Sequence, residues 1–147
     1  MAFRDVQLLS WRLAVDVEAT AQAYRRMVEG CTCAHCRNFH AAQAHIPASV
    51  RQTLRTLGVD PIRPAEIVEY NRNSDGTHFY SWWYHVVGQM PSDVPRIQAW
   101  LTPDVGVNVQ AKSDCVEPGF PSPRLQIEFS ANLPWALAES PDDAEIE

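Results

Sequence analysis

The chain has 147 residues, 46% of them hydrophobic, with 12 Lys+Arg against 18 Asp+Glu and a formal net charge of −6. A chain of this length buries about 70% of the surface exposed when unfolded, which excludes a disordered polymer and any need for a disulfide framework. Its longest apolar runs fall far short of the ~20 residues that span a bilayer and no signal-peptide pattern opens it, so a cytoplasmic protein with no membrane partner is expected.

The charge is unevenly placed. Five acids, Glu139, Asp142, Asp143, Glu145 and Glu147, lie in the last nine residues with no base among them. The expected organisation is therefore a single domain over 1–138, nearly neutral, followed by an acidic mobile tail over 139–147. Residues 1–63 carry eight Arg against five acids, and 64–138 four bases against eight acids. No basic run exists to replace counterions along phosphates, so no nucleic-acid partner is expected.

Taken in chain order, residues 6–13 alternate apolar and polar side chains and predict a strand. From Asp16 the spacing of Ala19, Ala23, Tyr24 and Met27 predicts a helix, closed by Gly30. A second helix is expected over 36–45 and a third from an N-cap at Ser49 to Gly58. Beyond Pro61 and Pro64 the composition turns to strands. Residues 66–70 and 78–87 flank the turn cluster Asn73-Ser74-Asp75-Gly76 and predict a hairpin. Shorter strands are expected over 97–101, 105–109 and 125–131, joined by Pro- and Gly-bearing loops. Helices before residue 60 and strands after it predict an α+β domain, two or three N-terminal helices on a largely antiparallel β-sheet.

The most informative local feature is Gly30-Cys31-Thr32-Cys33-Ala34-His35-Cys36-Arg37-Asn38-Phe39-His40, with three of the four cysteines in six residues. A tight turn can aim such closely spaced thiolates at one soft cation, and zinc takes four sulfur or nitrogen donors. Cys31, Cys33 and Cys36 supply three. His40, one helical turn past Cys36, is the expected fourth for a structural zinc ion, and Cys115 is the alternative. Two other readings compete. Cys33 and Cys36 form a C-x-x-C ahead of a helix, as a thiol–disulfide oxidoreductase uses, or the three are inert thiols in a turn. Asn38 is placed either to hydrogen-bond the cysteine turn or to cap the helix.

The segment Cys31-x-Cys33-x-x-Cys36-Arg37-Asn38-Phe39, with Leu57-Gly58-Val59-Asp60-Pro61, Trp83-Tyr84-His85-Val86-Val87-Gly88 and Gln126-Ile127-Glu128-Phe129 before Leu133-Pro134-Trp135, resembles a family of small uncharacterised bacterial proteins. That resemblance spans nearly the whole chain and implies a bacterial, intracellular, single-domain protein. It brings no activity and no catalytic residue.

In His78-Phe79-Tyr80-Ser81-Trp82-Trp83-Tyr84-His85 alternation places His78, Tyr80, Trp82 and Tyr84 on one face. These rings are either core packing or a ligand-binding platform at Tyr80, Trp82 and Tyr84 for a small planar ligand or a protein partner. Glycine-rich phosphate loops, a G-x-S-x-G elbow and H-E-x-x-H are all missing from the sequence. The expectation is thus a non-catalytic binding or adaptor domain with a zinc-fastened cysteine turn. Its alternatives are the oxidoreductase and an interaction protein of defence or counter-defence whose acidic tail meets a basic partner.

Overall fold

The computed structural model describes residues 2–28, 30–90 and 99–141. Seven strands form one antiparallel sheet: β1 (Arg4–Leu8), β2 (Trp11–Val15), β3 (Glu66–Arg72), β4 (His78–Gln89), β5 (Ala99–Thr102), β6 (Val105–Gln110) and β7 (Arg124–Leu133). Their order is β1-β2-β4-β7-β6-β5, with β3 also paired to β4. Three α-helices, α1 (Val17–Arg25), α2 (Ala34–Ala41) and α3 (Ala48–Thr56), all lie between β2 and β3 in sequence. The mixed α+β class and the largely antiparallel sheet read from the sequence are those of the structure.

β4 organises the sheet. It pairs with β7 over ten positions, from His78 opposite Leu133 to Val87 opposite Arg124, and with β3 along its first half. Its last two residues meet β2, Gly88 standing opposite Val15. That crossing requires glycine, because a Cβ at residue 88 would lie 2.6 Å from the Ala14 carbonyl oxygen. The β3–β4 turn closes through the Asn73 N–H donating to the Thr77 carbonyl at 2.7 Å, with Gly76 at φ +87° as hairpin geometry demands.

The N-terminal strand expected over 6–13 is instead a hairpin, with β1 and β2 paired from Arg4–Val15 to Leu8–Trp11. Leu8 and Trp11 are both buried and Leu9 lies between them at φ +53°. The inward phase is thus reset at the turn, and the sequence alternation runs straight through that break. Helix α1 starts where Asp16 caps it, its carboxylate accepting from the Ala19 N–H at 2.9 Å. It ends at Arg25, before the expected Gly30 stop. Helix α2 starts two residues earlier than expected, and its last turn tightens into a 3-10 turn over Ala42–His45. At α3 the cap position is Pro47, not Ser49.

Buried residues of all three helices and of the sheet form one core, in which Phe39 of α2 lies 5.1 Å from Trp82 and Trp82 stacks on Phe129. Polar ties join α1 to β4: Thr20 accepts from the Val87 N–H, and the Tyr24 hydroxyl donates to the His85 carbonyl and accepts from its N–H. No described helix is long and apolar enough to cross a membrane. Residues 97–98 of the expected 97–101 strand and 142–147 of the expected tail lie outside the described residues, while Glu139 is held by an ion pair with Arg37.

Candidate metal centre

Cys33 occupies the N-cap of α2 and Cys36 its first turn, so the helix itself sets the spacing of these two sulfurs. Cys31 approaches from the preceding turn, which Arg37 braces by donating from Nε to the Thr32 carbonyl at 2.9 Å. The result is convergence: the Sγ atoms of Cys31, Cys33 and Cys36 all lie within 4.8 Å of one another, and the group could hold a metal ion. Tetrahedral Zn–S bonds of about 2.3 Å place sulfurs about 3.8 Å apart, within reach of small side-chain rotations from this arrangement. All four cysteines are free thiols.

The three sulfurs have distinct environments. Cys31 is exposed and Cys36 buried. The Cys33 backbone N–H points at the Cys31 sulfur at 3.3 Å, and chiefly for that reason the Cys31 thiol ionises below its ordinary range, with the Cys33 and Cys36 thiols adding to the effect. Cys36 goes the other way: burial pushes its thiol far up, and the neighbouring Cys33 and Cys31 sulfurs push it further. A cation bound at the trio would offset that burial cost, because the metal favours the thiolate.

Cys31 and Cys36 border a groove of about 510 Å³, whose other walls include Met27, His40, Arg63 and Glu66. His40 therefore faces the same space as the sulfurs but is not within the 4.8 Å group, nor is Cys115. Burial lowers the pKa of His40 and keeps its ring neutral. Cys115 is exposed, sits at φ +54°, and has its thiol pKa raised first by desolvation and then by the Glu66 carboxylate.

Helix α2 is held to the sheet by a buried polar set that the sequence did not disclose. Asn38, fully buried, donates to the Pro134 carbonyl at 3.1 Å and to the Tyr80 hydroxyl at 3.3 Å, and accepts from the Ala136 N–H at 2.6 Å. Tyr80 in turn donates to the His35 carbonyl at 2.8 Å. Asn38 thus serves neither as a cap nor as a partner of the sulfurs, but ties α2 to the segment after β7. Beside it, Glu69 lies between two imidazoles, 3.1 Å from His78 Nδ1 and 3.7 Å from His35 Nε2, with Trp135 against both rings. The hairpin register, which sets Glu69 opposite Tyr80, was the one sequence signal able to bring Glu69 to this face.

Tyr80, Trp82 and Tyr84 lie on one face of β4, as alternation requires, but each is at most 1% exposed. Phe39 covers Trp82, and the Tyr84 hydroxyl donates to the Pro61 carbonyl at 2.6 Å. These rings are core, and an accessible stacking platform does not exist there. The density of aromatic residues signals a central strand buried beneath α2.

No protein-family model matches the chain, and no curated protein or solved structure matches it either.

Proposed function

We propose that the chain is a small non-catalytic binding module in which Cys31, Cys33 and Cys36 hold one zinc ion as thiolates and His40 supplies the fourth donor. The convergence of three sulfurs, two of them from residues that border a groove, is the observation that carries this reading. His40 is the natural fourth ligand because it lies one helical turn beyond Cys36, faces the same groove, and is held in the neutral form that binds metals. Cys115 is the alternative, and its use would draw the loop after β6 toward the helices. The groove beside the ion, not the aromatic face of β4, is then the surface open to a protein partner or small planar ligand.

Metal analysis of the purified full chain tests this. One zinc per chain is expected, reduced to substoichiometric binding in Cys31→Ser and Cys36→Ser, with thiolate-to-metal charge-transfer bands when cobalt replaces zinc. A metal-free protein that takes up neither zinc nor cobalt would overturn it.

A second reading has its own support. Cys31 is exposed and receives the Cys33 N–H, while Cys36 is buried behind it, an arrangement that suits an attacking and a resolving thiol. The attacking residue of an oxidoreductase would then be Cys31, where the C-x-x-C spacing had pointed to Cys33. Selective alkylation of Cys31 near neutral pH in a protein without metal would favour it.

A further inference from the structure

A second site stands on the opposite face of β4, independent of the cysteines. Alternation places Phe79 and Ser81 on that face, and the register sets Asn108 of β6 directly across from Glu128 of β7. With Tyr70 of β3 these side chains line a pocket of about 210 Å³.

Glu128 brings a carboxylate to the lining of this pocket. The Ser81 hydroxyl donates to Glu128 Oε1, and no Lys, Arg or His among the described residues forms an ion pair with that carboxylate. The Asn108 side-chain oxygen is buried with no hydrogen-bond partner. Along one side the Tyr70 and Phe79 rings lie 5.6 Å apart at 33°, and Tyr70 is 56% exposed.

These features select for one kind of cation. A guanidinium is planar, carries N–H donors in its plane that fork onto a carboxylate, sheds water readily and lays its face on aromatic rings. An ammonium is a compact, strongly hydrated point charge and fits the flat arrangement poorly. We propose that this pocket binds a guanidinium group, with Glu128 accepting its N–H groups and the Tyr70–Phe79 pair lying against its plane. The group arrives either as a free small molecule or as an arginine side chain of a partner protein. Trp100, 62% exposed on neighbouring β5 and opposite Gly106, extends the same face with apolar surface for a chain that carries the arginine.

The test is a titration of the isotopically labelled full chain, followed by amide NMR at constant ionic strength. The probes are methylguanidinium, N-acetyl-arginine amide and N-acetyl-lysine amide. Saturable shifts at the Asn108 side-chain amide and at the Glu128 backbone are expected with both guanidinium probes. Binding of the lysine probe should be weaker by about tenfold or more, and Glu128→Gln, which keeps an acceptor for Ser81, should weaken the guanidinium probes by a similar factor. Tyr70→Ala removes an exposed ring outside the core and should weaken them without unfolding. Equal affinity for the two guanidinium probes identifies a free small molecule, and a clear preference for the arginine amide identifies a peptide-borne side chain. Absence of saturable shifts with either guanidinium probe, equal binding of lysine, or no effect of Glu128→Gln in a folded protein would each overturn the proposal.

Discussion

Replacing Asn38 with Ala tests whether the helix carrying Cys36 is held by the polar set behind it. The side chain is fully buried and makes three hydrogen bonds, to the Pro134 carbonyl, the Tyr80 hydroxyl and the Ala136 N–H. Alanine deletes all three and leaves a carbonyl and an N–H without those partners. At about 1 kcal/mol net for each bond the loss is about 3 kcal/mol. For a domain near 150 residues that corresponds to about 6–12 °C in Tm. Urea denaturation followed by circular dichroism measures it, and Tyr80→Phe supplies the second corner of a double-mutant cycle. Because Asn38 and the Tyr80 hydroxyl touch directly, the double mutant should lose less than the sum of the singles by about 0.5 kcal/mol or more. A loss from Asn38→Ala below about 1 kcal/mol, or strict additivity with Tyr80→Phe, would refute the claim that this network anchors α2.

Other outcomes follow from the same geometry. Gly58→Ala forces a Cβ to 2.4 Å from the Val17 carbonyl oxygen at φ +86°, and should cost at least the ~1–2 kcal/mol of left-handed backbone in chemical denaturation. His85 is buried, and desolvation holds its pKa below the ordinary 6.5, with Gln126, Arg124 and Asp114 around it. The unfolded chain then takes up a proton that the folded one refuses, so stability is full above pH 6.5 and falls as pH drops below it toward the folded pKa. His40, also lowered by burial, acts in the same direction. Denaturation midpoints between pH 7.5 and 5.5 should show this slope flattened in His85→Gln. Chelation of the metal from a zinc-loaded chain should lower Tm, zinc at a thousandfold excess over its Kd being worth about 4 kcal/mol. Trp82→Ala should cost about 3–5 kcal/mol as a cavity in the core. A near-neutral result there would place that ring at a surface instead.

Local patterning showed the elements more clearly than their surroundings. The hairpin of β3 and β4, the strands β6 and β7, and the three helices all follow from alternation, helical spacing and turn residues. The break between β1 and β2 did not, because the turn is made by Leu9 and Ser10, and a leucine at positive φ carries no composition signal. The cysteine trio was legible because its members are neighbours in sequence. Asn38 contacts residues 96 and 98 positions away, and the Ser81–Glu128 pair spans 47, so the packing of α2 reveals the first neighbourhood and the β4–β7 register the second. The aromatic strand shows a different ambiguity. Rings at seven of the eight positions 78–85 are compatible with two binding faces or with a central strand, and only the placement of α2 decides between them.

That placement also bears on what a metal would do. Phe39 and Asn38 fix the middle of α2 to Trp82, Tyr80 and the segment after β7, and one hydrophobic core joins sheet and helices without any contribution from the sulfurs. The start of the helix is different: Cys33 makes no side-chain cap, and Cys31 is exposed. An ion held by the three thiolates would tie down this uncapped end, place negative sulfur at the positive pole of the helix, and stiffen one wall of the groove. Its removal should therefore loosen residues 31–40 while β4 and β7 stay protected. Hydrogen exchange before and after chelation separates the two regions, and equal loss of protection in both would mean that the metal sustains the whole fold.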